Sequence, residues 1–170
     1  MKTRIVLAWV LLMGAASMGL AQVLDDISKH ASCKYCAMDR EKFAHSRMLV
    51  IYDDGSATGT CSLHCAAIEL ALTMDKTPKA IQVGDYKSKQ LIDAETAIWV
   101  IDDKNPGVMT KRAKWAFGKK EDAENHMKEH GGRIVTFEQA VKASYEDMYA
   151  DSKMIREKRK TMKKTEHKHN

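Results

Sequence analysis

Four cysteines fall in two close pairs, Cys33-Lys34-Tyr35-Cys36 and Cys61-Ser62-Leu63-His64-Cys65. Thiolates are soft donors that prefer Zn(II) or Cu(I) to Mg(II) or Ca(II), and two converging pairs can complete a tetrahedral shell. The same residues allow two other chemistries. An exported chain can oxidise them to two disulfides, for which spacing leaves three pairings open. A Cys-x-x-Cys can also be redox-active, but no βαβ thioredoxin pattern surrounds this one and Cys36 does not open a helix. Metal binding is the leading expectation. His64, inside the second pair, is an alternative ligand, although such a residue is more often exposed at a helix start; His30 and His45 are weaker candidates. His167 and His169 form a His-x-His tip in what reads as a solvated tail.

The pairs must be delivered to each other by the elements around them. Arg47 to Tyr52 is a β-prone run closed by Asp53-Asp54-Gly55, a hairpin turn, with Ser56 to Thr60 as the partner strand ending at Cys61. From Ser62, a candidate N-cap, Ala66, Ala67, Ile68, Leu70, Ala71 and Leu72 predict a helix that places Cys61 and Cys65 one turn apart on one face. Thr77-Pro78 breaks it, and Ala80 to Val83 reads as a strand. The order then repeats without thiols. Ala97 to Ile101 is a strand and Asp102 to Gly107 a turn. Val108 to Phe117 is a second extended stretch, with Met109, Ala113, Trp115 and Phe117 on one face. Glu121 to His130 is a helix ended by Gly131-Gly132, and Arg133 to Phe137 a strand. A last helix runs from Glu138 to about Arg159. The expected fold is α+β: tandem ββαβ units with antiparallel sheets, followed by a C-terminal helix. The divisions are an export signal at 1–21, a thiol-bearing unit at 22–90, a second unit at 91–137, and a helix with basic tail at 138–170.

The signal is expected from Lys2 and Arg4, the apolar run Ile5 to Leu12, and the small-x-small site Gly19-Leu20-Ala21. A run interrupted by Gly14, Ser17 and Gly19 falls short of the roughly 20 apolar residues that span a bilayer. No cysteine follows it, so no lipid-anchored N-terminus is expected, and the chain is placed in the periplasm or outside the cell. The formal charge of +5 belongs to the tail: from Lys153 onward there are eight Lys/Arg against two Glu, whereas 22–152 carries eighteen against twenty-one acids. A near-neutral body and a tail without aromatic residues argue against nucleic-acid binding. The tail can hold weakly to anionic headgroups or an acidic partner, or simply keep a helix end soluble. There is no nucleophile elbow, His-Glu-x-x-His, phosphate-binding Gly loop or dinucleotide fingerprint, so no enzyme is expected. Asp53-Asp54 and Asp102-Asp103 sit in turns, where Asp serves backbone geometry.

Several segments together resemble the NosL family, the copper-binding accessory proteins of nitrous oxide reductase. They are Cys33-x-x-Cys36-Ala37-Met38, the hairpin into Cys61, Gly84-Asp85-Tyr86 through Ile92-Asp93-Ala94, Pro106-Gly107-Val108-Met109-Thr110, Ala116-Phe117 and Gly131-Gly132. The resemblance covers roughly Cys33 to Ala140. Where family members usually read Cys-Gly-Met this chain has Cys36-Ala37-Met38, and its second pair, Cys61 and Cys65, resembles the metal modules called TRASH domains. The resemblance implies a periplasmic Cu(I) metallochaperone serving a copper-receiving respiratory enzyme. It implies Cys33, Cys36, Met38 and Met109 as ligands, the last from the segment assigned to Cu(I) in relatives.

Of the eight methionines beyond the signal, Met48, Met74 and Met148 suit plain packing. Thioether with thiolate favours exchangeable Cu(I), whereas four thiolates favour Zn(II). The chemistry allows two sites, a structural one of Cys33, Cys36, Cys61 and Cys65 and an exchangeable one around Met109 and Met38. A zinc-thiolate interaction module and a disulfide-stabilised redox assembly factor are the alternatives.

Overall fold

The computed structural model describes residues 26–166; the export-signal segment and the His167/His169 tip lie outside them. A helical turn at 26–29 leads into the cysteine loop and then into β1 (Met48–Tyr52) and β2 (Ala57–Thr60), an antiparallel hairpin in which Met48 faces Thr60. Its turn closes as its composition dictates. The Asp54 carboxylate accepts the Ser56 amide at 2.8 Å, and Gly55 takes a φ of 81° that a side chain would resist.

Helix α1 (Leu63–Leu72) follows directly, with Ser62 at its N-cap position in extended conformation but without a side-chain capping bond. β3 (Pro78–Gly84) then returns along the other side of β1, and β4 (Leu91–Asp93) adds to its edge, giving the order β2-β1-β3-β4.

The second unit repeats this plan. β5 (Ile98–Asp102) and β6 (Ala113–Phe117) pair antiparallel, α2 (Lys120–His130) crosses, and β7 (Arg133–Val135) returns beside β5, so the order β6-β5-β7 mirrors β2-β1-β3. Gly131 and Gly132 end α2 with φ of 82° and 103°. A Cβ on Gly132 would lie 2.6 Å from the Ile101 carbonyl, so this position is closed to any side chain. The closing helix α3 (Phe137–Glu166) is longer at both ends than expected: Phe137 starts the helix instead of ending a strand, and the basic end continues to Glu166. Among the described residues no helix is long and apolar enough to cross a membrane.

One strand was not expected, and one expected strand is corrected. β4 carried no recognisable signal, being three residues paired through Gln82↔Asp93 and Val83↔Ile92. The extended stretch expected from Val108 begins only at Ala113. Residues before it fold into a turn in which the Gly107 amide donates to the Thr110 carbonyl at 3.0 Å.

The two units share one core. Met48, Val50 and Tyr52 of β1 pack with Ile81 and Val83 of β3, and the same cluster takes in Trp99, Ile101, Ala116, Val135 and, from α3, Phe137, Ala140 and Ala143. A second cluster lies on the opposite face of β5 and β6, where Val100, Ala113, Trp115 and Phe117 pack against Cys33, Cys61 and Cys65. Alternation along β5 therefore divides Trp99 and Ile101 from Val100, and every residue of β6 is buried. The unit without cysteines is the wall against which the thiols of the other unit are held.

Candidate metal centre

The first cysteine pair sits in a closed loop. An isolated bridge pairs Ser32 with Asp39; inside it the Cys33 amide donates to the Met38 carbonyl at 2.8 Å and the Ala37 amide to the Cys33 carbonyl at 2.9 Å. So tight a return forces Ala37 to a φ of 60°, the left-handed region that favours glycine. The second pair begins where β2 ends and continues into the first turns of α1, so Cys61 and Cys65 share a face as the spacing requires.

The loop and the helix bring the pairs together. All four Sγ atoms lie within 4.8 Å of one another, with Cys36–Cys61 at 3.4 Å, Cys61–Cys65 at 3.8 Å and Cys65–Cys36 at 3.9 Å. These are separations between free thiols, well beyond a disulfide bond of about 2.05 Å. A tetrahedron of thiolates around an ion with metal–sulfur bonds of about 2.3 Å has edges of about 3.8 Å, so the donor set fits a soft cation. Cys33, Cys61 and Cys65 are buried, while Cys36 is partly exposed.

Proton affinities support the same reading. Hydrogen bonds from Cys36, Cys61 and Cys65 drive the Cys33 thiol far below its ordinary range. Hydrogen bonding to Cys33, Cys36 and Cys61, followed by burial, pushes Cys65 well above it, and Cys61 moves the same way. Negative charge is thus favoured on the loop side of the cluster and protons are retained on the helix side. A cation that takes all four sulfurs must release those protons, which is how metal affinity becomes coupled to pH.

Two supports hold the loop in place. Glu69 of α1, 1% exposed, accepts Lys34 Nζ at 2.9 Å and the Tyr35 hydroxyl at 2.5 Å, and its other oxygen accepts the Tyr52 hydroxyl at 2.8 Å. The two residues between Cys33 and Cys36 are therefore both tied to the helix that carries Cys65. On the other side Arg40, fully buried, donates to the Thr60 carbonyl at 3.1 Å, the His30 carbonyl at 2.6 Å and the Met48 carbonyl at 3.0 Å. Its charge is met by Asp26 at 2.8 Å, and Arg47 approaches the same carboxylate at 2.9 Å. This ion triad locks the chain before the loop onto the hairpin that delivers Cys61.

His64 is not the exposed residue expected at a helix start. It is buried, with Nδ1 3.5 Å from the equally buried Asp151 of α3. Burial lowers its proton affinity.

Beside Cys36 opens a cavity of about 710 Å³ whose lining includes Met38, His45, Met109 and Trp115. The expected methionines therefore meet at one place, next to the exposed member of the thiol cluster. Met109 holds a φ of 64° in the Gly107–Thr110 turn, a conformation costly for a long side chain and of a kind that concentrates at functional sites. Gly107 is required in the same turn, since a Cβ there would sit 2.8 Å from the Ala113 Cα.

The NosL family model matches residues 24–145, most of the chain, including all four cysteines, Met38 and Met109. The chain belongs to the NosL family. Among solved structures, the copper chaperone NosL from Shewanella denitrificans is similar with a TM-score of 0.50 and 21% identity, over 63% of this chain and 87% of that one. That likeness supports the mixed α+β fold with antiparallel sheets and a C-terminal helix. No curated protein matches the chain. Copper chaperone is the description of that Shewanella denitrificans protein.

Within this NosL protein, sequence reasoning missed Glu69 and the Asp26–Arg40–Arg47 triad, and gave His45 only a minor place among the ligand candidates. Glu69 did leave a signal: it is the one carboxylate of an otherwise apolar helix, and an isolated charge on a buried helix needs partners. His45 ranked low because its place beside Cys36 depends on how the loop after Asp39 folds back.

Proposed function

We propose that this protein is a periplasmic Cu(I) chaperone that passes its cargo to a copper-containing respiratory enzyme such as nitrous oxide reductase. The observation that carries this reading is the position of Cys36. Three thiols are sealed beneath the surface, while the fourth faces a cavity bordered by Met38 and Met109. Soft thiolates retain Cu(I), and neutral thioethers beside the exposed one offer a path for ligand exchange. His45, whose proton affinity is lowered by burial and then by Lys89, is held as neutral imidazole and can join that path. Export through the expected signal would bring the protein to the compartment where such an enzyme is loaded. The basic end of α3 provides weak electrostatic attachment to anionic headgroups or an acidic partner.

The test is a competition and transfer experiment. Anaerobically purified protein should hold one equivalent of Cu(I) against a chromogenic Cu(I) chelator and restore copper to apo nitrous oxide reductase. Met109→Ala should retain the metal but slow its transfer. Failure to compete for Cu(I) would sink the proposal. A second reading, a structural zinc-thiolate module, is favoured by one observation, the near-tetrahedral sulfur spacing; zinc on isolation that Cu(I) cannot displace would establish it instead.

A further inference from the structure

The NosL match ends at residue 145, but α3 continues to Glu166, and this overhang lies along the metal cavity. Two carboxylates fix its position. Asp147 pairs with Arg112 at 2.9 Å and Lys114 at 2.7 Å, and Asp151 accepts the Lys111 amide at 3.0 Å. Both therefore clamp the helix to the segment immediately after Met109. Beyond the clamps Met154, Ile155, Lys158, Arg159 and Met162 recur at helical spacing and line the same cavity as Cys36, Met38 and Met109. Core packing does not account for them all, since Met162 remains 63% exposed.

We propose that the distal part of α3 is a thioether arm: Met154 and Met162 join Met38 and Met109 in a second Cu(I) site at the cavity mouth, through which the ion enters and leaves the four-thiol centre. This inference rests on the copper-chaperone reading and adds to it a ligand-bearing element that the family-matched region lacks. The chemistry orders the two sites. Thiolates bring negative charge and bind first. Thioethers are neutral, and Lys158 and Arg159 beside them oppose a further positive ion, so the mouth binds second and more weakly. No redox step is involved; the ion exchanges sulfur ligands one at a time, and the thiols it leaves recover their protons.

The experiment titrates Ag(I), a diamagnetic stand-in for Cu(I), into full-length protein labelled with carbon-13 at the methionine methyls. The first equivalent should go to the cysteines. The second should shift the methyls of Met38, Met109, Met154 and Met162 together and leave Met48, Met74 and Met148 in place. The isosteric double variant Met154→Leu/Met162→Leu should weaken the second equivalent at least tenfold and leave the first unchanged, with circular dichroism confirming an intact fold. If Met38 and Met109 shift without Met154 and Met162, or the double variant binds the second equivalent as well as the parent, the arm is refuted and the chaperone reading stands. If neither equivalent binds, both fall.

Discussion

Tyr35, between the cysteines of the first pair, donates its phenol proton to Glu69, on the helix that carries the second pair, across a distance of 2.5 Å. One buried carboxylate thereby helps set the distance between the two sets of thiols, alongside the Arg40 contacts on the other side of the loop. Burial pushes its proton affinity up, but hydrogen bonds from Tyr35, Lys34 and Tyr52 outweigh that and hold it below the ordinary carboxylate range.

Replacing this residue by Glu69→Ala leaves the two tyrosine hydroxyls without their shared acceptor and should cost about 1–3 kcal/mol. The urea midpoint checks the loss. Faster alkylation of Cys33 and Cys36 in the variant would show that the loop has loosened; unchanged rates would mean that the loop is held without Glu69.

The same carboxylate makes stability depend on acid. Its folded-state proton affinity is lower than in the unfolded chain, so its contribution is complete above the unfolded value and is lost as pH falls through the folded one. Denaturation between neutral pH and pH 3 should show a steeper decline for the parent than for Glu69→Gln. Parallel profiles would contradict the assignment.

Ala37→Gly should stabilise the protein. Ala37 is exposed and held at a φ of 60°, so glycine relieves a left-handed backbone and removes little packing, a gain of about 1 kcal/mol. Thermal unfolding without metal reads it directly. The family's usual glycine at this place is explained by the same geometry.

Met109→Gly separates stability from function. The φ of 64° is relieved by about 1 kcal/mol, offset in part by lost packing against the hydrophobic cluster around Trp115 and the cysteines. Copper transfer should slow sharply, with stability changed little in either direction. A variant that melts far below the parent would show that Met109 is a packing residue instead.

Asp26→Ala should destabilise by about 3–5 kcal/mol, because it strands two buried guanidinium groups. The loss should be far smaller when Arg40 or Arg47 is already replaced, and a double-mutant cycle measures that coupling. Additive losses would mean that the triad is not one unit.

What could be read from the chain was local. Asp53-Asp54-Gly55 and Gly131-Gly132 each contain the chemistry of the turn they make, and the apolar spacing after Ser62 was enough to put Cys61 and Cys65 on one face. Leu91–Asp93 was too short to show a period. Val108 to Phe117 puts Met109, Ala113, Trp115 and Phe117 on one face as a strand would, yet Pro106-Gly107 and the left-handed Met109 bend its first half into a turn. At the centre, residue types announced soft-metal chemistry, whereas the convergence of Cys36 on Cys61 depends on Arg40 and Glu69, partners distant in sequence. Met154 belongs to no motif, and only the clamp from Asp151 to Lys111 shows which surface it faces.

Strand β5 is a partition with an occupant on each side: Val100 bears on the thiols, while its neighbours Trp99 and Ile101 bear on the main core. Drawing the sulfurs in around an ion, or letting them spread when it departs, must therefore be felt in the interior as a whole. Resistance to heat becomes a gauge of cargo, and a protein emptied by its client is also the one least able to withstand unfolding.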